Sequence, residues 1–422
     1  MKQVFFIIAG ALLLAGLLFL AYQKKMPEPI KVGILHSQTG TMSISEQPVI
    51  DATVFAIEEL NRQGGVLGRP VVPVLADGGS DPVRFAKEAQ HLIDVDKVEV
   101  IFGCWTSASR KEVKAVVEKA NNLLVYPLQY EGVEESPAIV YTGAVPNQQI
   151  KPAVKWAMDN LGKTFYLVGS DYVFPRIANQ LINDLANLLG GVVVKERYRP
   201  LGSVDFSAIA QEIAVLKPAV VFNTLNGDSN NAFFAALHKF GVKGADIPVF
   251  SFSITETELQ VMAKELPAGT MTGHYASWSY FESLPGEENK QFLQRYRARY
   301  GSDRIVNDPM VAAYTGVYLW AQSVEDVKGL DPQKVRRAFS RQSLSGPGGI
   351  VYVDDKNHHV WKPDRIGKAN SDGRFEIVWD SRTPIRPEPY PSYSEKIYWQ
   401  KLENQLYRQW DKQWGAVPEA QP

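Results

Sequence analysis

Residues 98–110 of the chain read VEVIFGCWTSASR, a short apolar run followed by a polar loop and the start of an amphipathic stretch. The same order occurs at residues 31–40, KVGILHSQTG, and at residues 165–176, FYLVGSDYVFPR. Short apolar runs that alternate with helical periodicity are typical of parallel sheets covered by helices on both faces. The sequence therefore predicts an α/β protein.

Length and composition limit the possible classes of protein. The chain has 422 residues. A single hydrophobic core stops growing near about 250–300 residues, so we expect two or three domains. Its 45 basic and 46 acidic residues give a net charge of -1, which provides no global positive field for binding nucleic acid. The single cysteine, Cys104, excludes an internal disulfide and a cysteine-based zinc cluster.

The N-terminal region contains an uncharged apolar run at residues 4–22, preceded by Lys2 and followed by Lys24 and Lys25. A helix of this length spans roughly 28 Å, close to the thickness of a bilayer core. We interpret residues 1–26 as a signal peptide or a membrane anchor and leave cleavage open. Either interpretation places the rest of the chain outside the cytoplasmic membrane.

The strand–helix alternation runs from residue 31 to residue 126, restarts near residue 150 and continues to about residue 250. So long a series of strands is better divided between two sheets than kept in one. A helical pattern follows at residues 287–340. Short strands are then predicted at about 350–353, 365–369 and 375–379.

The C-terminal region becomes rich in proline after residue 383 and then predicts a last helix near residues 394–414. Large apolar side chains recur there every four positions, at Tyr398, Leu402, Leu406, Trp410 and Trp414. This stripe either packs on the helix's own domain or contacts a membrane surface or a partner protein.

The segments that follow the predicted strands are polar and aromatic, and ligands of open α/β sheets bind at this edge. Ser107, Asp228 and Ser253 each precede an apolar periodic stretch and are predicted helix N-caps. Capping does not explain the aromatic residues beside them. Aromatic walls with a few hydroxyl, amide and backbone N–H groups suit a small polar solute.

Signatures of catalysis are missing from the sequence. It contains no Gly-x-Ser-x-Gly elbow, no Walker loop, no Gly-x-Gly-x-x-Gly and no His-Glu-x-x-His. The adjacent His358 and His359 would point to opposite faces of a strand, which disfavours a metal site. Cys104 ends an apolar strand and has no candidate base, so an amidase is disfavoured. We therefore expect no catalytic residue, no metal and no cofactor.

The strand-end segments resemble those of periplasmic solute-binding proteins of the branched-chain amino acid and amide type. Within that family, they are most similar to the receptors for urea and short-chain amides. The segments that carry the resemblance are His36–Gly40, Asn61–Gly68, Asp81-Pro82, Gly103–Arg110, Tyr126–Gly132, Gly143–Gln149, Gly169–Arg176, Asn223–Asn230, Asn307–Met310 and Asp372-Gly373.

The resemblance implies a type I periplasmic binding protein fold, in which two doubly wound α/β lobes are joined by three crossings and close on a ligand by a hinge. The first lobe would comprise residues 30–145 and 275–345. The second lobe would comprise residues 146–274 and 346–385. Residues 386–422 would form a C-terminal extension.

The resemblance also implies which residues bind the ligand. Trp105, Ser107, Tyr126 and Tyr172 correspond to ligand contacts in the related amide sensor, and Gln129, Asn226 and Asp228 are further candidates. A neutral ligand agrees with these residue types. Urea offers four N–H donors, which Asp228, Glu256 and backbone carbonyls can accept, and one carbonyl oxygen, to which Ser107 Oγ and helix N-terminal N–H groups can donate.

The implied function is a periplasmic receptor that delivers urea or a short-chain amide to the permease subunits of an ABC importer. If its N-terminal segment is not cleaved, that segment would anchor it to the cytoplasmic membrane. The alternative is a receptor of the same fold that senses its ligand and reports to a membrane signalling protein. The N-terminal segment and the aromatic C-terminal helix favour that alternative.

Overall fold

The computed structural model describes residues 28–416. The predicted signal peptide or anchor at residues 1–26 therefore lies outside the described residues. Between residues 28 and 416, no helix is both long and apolar enough to cross a membrane. This part of the chain forms two large sheets flanked by helices, together with one small sheet.

The first sheet consists of five parallel strands in the order β2-β1-β3-β4-β5. β1 is buried along almost its whole length, as its continuous apolar sequence predicts. Unlike the others, β5 was not predicted from the sequence. The strands are β1 Ile30–His36, β2 Val71–Asp77, β3 Ile101–Gly103, β4 Leu124–Tyr126 and β5 Ile139–Tyr141, and the helices between them are α1 Ser43–Arg62, α2 Pro82–Asp94 and α3 Ser107–Lys119.

The second sheet begins with parallel strands that alternate with helices, as the restart of the pattern near residue 150 predicts. Its strands are β6 Thr164–Ser170, β7 Val192–Arg199, β8 Val220–Thr224, β9 Val249–Ser251 and β10 Tyr275–Trp278. Its helices are α4 Ile150–Asn160, α5 Val173–Leu188, α6 Ser207–Leu216, α7 Ser229–Lys239 and α8 Glu256–Glu265.

The rest of the chain returns to the first sheet and then to the second. Two antiparallel strands, β14 and β15, complete the second sheet in the order β15-β14-β10-β9-β8-β6-β7. The elements are α9 Glu287–Tyr300, α10 Asp308–Val327, α11 Pro332–Phe339, β11 Ser343–Gly346, β12 Gly349–Val353, β13 Val360–Trp361, β14 Arg365–Ala369, β15 Phe375–Asp380 and α12 Lys396–Gln409.

Two boundaries of the predicted lobes differ from the placement of these elements. Strand β10, at residues 275–278, pairs in the second sheet, although residue 275 was predicted to open the return to the first lobe. Strands β12 and β13 bury Val353 and Val360 in the core beneath the first sheet, although residues from 346 onward were predicted in the second lobe. A short strand can join either sheet, and sequence pattern does not distinguish them.

The chain passes between the sheets at about residues 142–149, 279–286 and 362–364. Hydrogen bonds tie these crossings together. Gln149 Nε2 donates to the carbonyl of Ser277 at 2.7 Å, and Lys362 Nζ donates to the carbonyl of Thr142 at 3.1 Å. Ser277 Oγ also donates to Asp364 Oδ1 at 2.9 Å. The first and third crossings are therefore bonded to each other and to the end of β10, where the second crossing begins.

The C-terminal helix α12 packs on the second sheet's own domain. Trp399, Leu406 and Trp410 are buried in that core. The predicted stripe is wrong at its first position, because Tyr398 is 43% exposed and Trp399 is buried in its place. The packing accounts for the aromatic sequence without a membrane surface or a partner protein.

Candidate functional site

The loops that follow the strands of the two sheets contact each other between the lobes. Gln129 Nε2, after β4, donates to the carbonyl of Phe252, after β9, at 2.8 Å. Ser45 Oγ, on α1, donates to Glu258 Oε1, on α8, at 2.6 Å. These contacts bring together the two edges where the predicted ligand residues lie.

Trp105 and Tyr126 meet at the carboxyl edge of the first sheet, as predicted. Gly103 ends β3 so close to β1 that a Cβ would lie 2.1 Å from the carbonyl oxygen of Leu35, so this position requires glycine. Cys104 follows with a φ of 67° and turns the chain at the strand end. The Tyr126 hydroxyl donates to the carbonyl of Trp105 at 2.6 Å, and burial raises the pKa of Tyr126, which keeps the donor protonated.

Ser107, the first residue of α3, belongs to a buried ionic cluster. Its Oγ donates to Glu131 Oε2 at 2.5 Å and accepts from Arg110 Nη1 at 2.9 Å. Arg110 Nη2 also donates to Glu131 Oε1 at 3.0 Å. The single hydroxyl hydrogen of Ser107 is therefore used by Glu131, and the predicted donation from Ser107 to a ligand would require breaking that bond.

Arg110 connects this cluster to further charged residues that lie farther from the cleft. Its Nε donates to Glu134 Oε1 at 2.9 Å, and its guanidinium lies 4.3 Å from the ring centroid of Tyr130. Burial by itself would raise the pKa of Glu134, but Arg110 and then Lys111 outweigh it and hold that pKa well below its usual range. Lys111 and Lys114 also pair with Glu134, and Lys111 pairs with Glu403 on α12. Three cations thus face three carboxylates.

His36 and Glu46 form a second buried pair that sequence reasoning left without a role. His36 ends β1, and its Nδ1 lies 2.8 Å from Glu46 Oε2. The backbone N–H of Ser37 donates to the same oxygen at 2.9 Å. The only sequence signal for this pair is that Glu46 lies in the first turn of the helix that follows the polar end of β1. The opposite ring nitrogen of His36, Nε2, has no hydrogen-bond partner.

Tyr172 extends the site from the second sheet. It precedes α5 and is buried. Burial raises the pKa of Tyr172 well above its usual value, and the nearby Tyr126 and Glu131 raise it further. Helix α5, which Tyr172 precedes, packs against α3 of the first lobe.

Asn226 and Asp228 lie in the loop after β8 and take different positions. The backbone N–H of Asn226 donates to Ser170 Oγ at 3.1 Å, and its Nδ2 donates to the carbonyl of Thr224 at 3.2 Å, so its bonds stay within the second sheet's domain. Asp228 accepts a hydrogen bond from the Thr41 hydroxyl across the cleft. It therefore lies where the two lobes touch.

The predicted N-caps are not the residues that cap. Thr106 Oγ1, and not Ser107, accepts from the backbone of α3. Asp228 stands at the cap position of α7 but makes no side-chain cap bond, since it contacts Thr41 instead. Thr255, and not Ser253, caps α8. Sequence pattern locates a helix end only to within one or two residues.

Cys104 and His359 are buried side chains with structural roles. Burial raises the pKa of the Cys104 thiol well above its usual value, and Glu46 adds to this, so the thiol stays protonated. His359 accepts or donates one bond with the Tyr130 hydroxyl at 2.5 Å and stacks on Tyr141 at 4.1 Å. Within residues 28–416, no group of three or more His, Cys, Asp or Glu side chains could hold a metal ion.

A groove of about 750 Å³ lies at the mouth of the cleft. The lobes contribute Thr41 and Asp228, and the C-terminal segment contributes Trp414 and Gly415. Gly415 forms an antiparallel bridge with Tyr172. The chain's own C-terminal segment thus borders the entrance on one side.

Comparison with known families gives one match, a periplasmic binding protein domain, over residues 30–396. Leu/Ile/Val-binding protein homolog 6 of Brucella abortus is 25% identical over 350 residues, which are 81% of this chain and 87% of that protein. Limonene hydroxylase of Geobacillus stearothermophilus is 36% identical over 117 residues, but these are only 28% of this chain and 21% of that protein. Because this match covers so small a part of both proteins, the activity of limonene hydroxylase is not inferred for this chain.

Solved structures agree with the family match. An ABC transporter solute-binding protein of Rhodopseudomonas palustris in complex with 4-hydroxybenzoate has a TM-score of 0.77 and 25% identity, covering 85% of this chain and 98% of that one. The branched-chain amino acid transporter substrate-binding protein of Streptococcus pneumoniae in complex with isoleucine has a TM-score of 0.73 and 18% identity, covering 85% and 100%. The second likeness concerns the fold alone.

Proposed function

The chain belongs to the periplasmic binding protein family, and from that premise we propose that it is the receptor of an ABC importer for urea or a short-chain amide. The family confirms the predicted type I fold with two lobes, and it confirms a periplasmic solute-binding receptor that is not an enzyme. The identity of the ligand is the proposed part.

The pairing of the buried charges supports a neutral ligand. Arg110 lies on the helix that follows Trp105, and its guanidinium is already engaged by Ser107, Glu131 and Glu134. The 4-hydroxybenzoate and isoleucine bound by the two solved relatives each carry a carboxylate. A carboxylate in a closed cleft has to be paired with a free cation or with the N–H groups of a helix N-terminus, because burying an unpaired charge is costly. Arg110 is not free to be that cation. An uncharged ligand has no such requirement.

The proposed binding surface consists of Trp105, Tyr126 and Gln129 from the first lobe and Tyr172 from the second. The indole and the phenol rings supply apolar walls that exclude water, and Gln129 supplies a polar edge. Ser107 is assigned to positioning, since its hydroxyl holds Glu131 and Arg110 in place. Asn226 and Asp228 are assigned to the second-lobe rim, where Asp228 helps to hold the closed form.

The test is calorimetric titration of the purified protein with urea, formamide and acetamide, and with isoleucine and 4-hydroxybenzoate for comparison. We expect binding of the neutral compounds and none of the carboxylates. Bound ligand should raise the melting temperature in step with its concentration. In Trp105→Ala, affinity should fall strongly, and the melting temperature should fall as well because Trp105 is buried in the free protein. Trp399→Ala, which removes another buried indole on α12, should lower the melting temperature without changing the affinity. Binding of a carboxylate without binding of any amide would refute the proposal.

Two features of the sequence favoured the alternative of a ligand sensor, and one of them, the aromatic C-terminal helix, is explained by packing within the protein. The aromatic C-terminal helix packs on the second lobe through Trp399 and Trp410, and the N-terminal segment lies outside the described residues. No observation on the described chain favours sensing over transport.

A further inference from the structure

Several buried polar side-chain atoms at the cleft edges have no hydrogen-bond partner. Such atoms are rare in folded proteins, because desolvation without a partner costs free energy. Other unpartnered atoms lie away from the cleft, such as Tyr296 OH on α9. The cleft-edge atoms are His36 Nε2, Gln129 Oε1, Ser229 Oγ and Ser253 Oγ.

The two first-lobe atoms are acceptors. The carboxylate of Glu46 only accepts, so His36 Nδ1 must carry the hydrogen between them, and the tautomer with this one ring hydrogen leaves a lone pair on Nε2. The carbonyl of Phe252 also only accepts, so Gln129 directs its NH₂ group there and leaves Oε1 as the free acceptor. Both assignments follow from partners that have no hydrogen to give.

The two acceptors follow strands that are separated by one neighbour. His36 ends β1, Gln129 follows β4, and β3 lies between these strands. Strand spacing puts the two ends about 10 Å apart. Two side chains and one small molecule can fill that distance.

The two second-lobe atoms are hydroxyls that can donate. Ser253 directly follows Phe252, the residue to which Gln129 is bonded across the cleft. Ser229 is the first residue of α7, beside the Asp228 that touches Thr41. Both serines therefore lie where the second lobe closes on the first.

We propose that His36 Nε2 and Gln129 Oε1 each accept an N–H of the ligand while Ser253 Oγ, with Ser229 Oγ, donates to its carbonyl oxygen. This inference rests on the proposed function and makes it narrower. A single amino group also has two N–H donors, but both lie on the same side of the carbonyl. Because the ends of β1 and β4 are separated by β3, we place the two acceptors on opposite sides of the carbonyl, where each needs an amino group of its own. Urea has two such groups, whereas acetamide has a methyl group in place of one. The site therefore selects urea over monoamides of the same size.

The experiment compares urea with acetamide by calorimetry on the wild-type protein, His36→Asn and Ser253→Ala. Asparagine keeps a donor near the position of Nδ1 for Glu46 but has no atom at the position of Nε2. His36→Asn should weaken urea binding about tenfold and leave acetamide binding unchanged. Ser253→Ala should weaken both about tenfold, because both ligands have the carbonyl oxygen.

Ser394→Ala is the matched control. Ser394 Oγ is also buried without a partner, but it precedes α12 in the C-terminal segment, so its loss should change neither affinity. Ser253→Ala should not lower the melting temperature of the free protein, since its hydroxyl makes no bond there. Equal effects of His36→Asn on urea and acetamide, or no effect on either, would overturn the inference. Failure of the wild-type protein to bind urea or any amide would instead overturn the proposed function.

Discussion

Replacing Arg110 with methionine tests whether the buried ionic cluster supports the cleft. Arg110 is fully buried and donates hydrogen bonds to Ser107, Glu131 and Glu134. Its removal leaves two buried carboxylates short of their main cation. Breaking a buried ion pair by removing one partner costs about 3–5 kcal/mol. Differential scanning calorimetry should therefore show a melting temperature lower by about 6–20 °C.

The control is Lys114→Met on the same helix. Lys114 pairs with the same Glu134 at 3.4 Å but is 29% exposed, so its loss should cost less than about 1 kcal/mol. Neutralising the acids, with Glu131→Gln and Glu134→Gln added to Arg110→Met, should restore part of the lost stability. If Arg110→Met and Lys114→Met lower the melting temperature equally, the cluster is not a buried charge network and the reasoning is wrong.

Two further predictions concern pH and the C-terminal helix. Burial lowers the pKa of His274 to about 4 and that of His359 to about 3. As the pH falls below about 6.5, these histidines therefore take up protons in the unfolded state but not in the folded state. The free energy of unfolding then decreases by about 1.4 kcal/mol per pH unit for each histidine as the pH falls from 6.5 to 5. Melting temperatures across that range should show a shallower slope in His359→Gln than in the wild-type protein; equal slopes in the two proteins would contradict the assignment. Trp399→Ala should lower the free energy of unfolding by about 3–5 kcal/mol, because Trp399 is fully buried. Ile397→Ala, at a site 50% exposed, should lower it by less than about 0.5 kcal/mol. Similar losses of stability in the two variants would mean that α12 does not pack on the second lobe.

The placement of Trp105 and Tyr126 at one edge of the sheet could be predicted, because the carboxyl ends of parallel strands share that edge. Each residue stands at or just after the carboxyl end of a strand, and β3 and β4 are neighbours. The same rule brings Gln129 to this edge. By contrast, β10 belongs to the second sheet because it pairs with β9 and β14. Both partners are distant in the sequence or follow later, so the local sequence of β10 does not predict which sheet it joins.

The local sequence of this chain determined most of its strands and helices and the edge at which a ligand would bind, because hydrophobic periodicity and strand polarity act over neighbouring residues. Only the tertiary structure decided that Arg110 is neutralised by Glu131 and Glu134, and that His36 is held by Glu46. Those pairings depend on how a helix crosses a sheet and on the register between distant segments. They fix which polar atoms remain unpaired in the cleft, and it is from those atoms that the chemistry of the ligand is inferred.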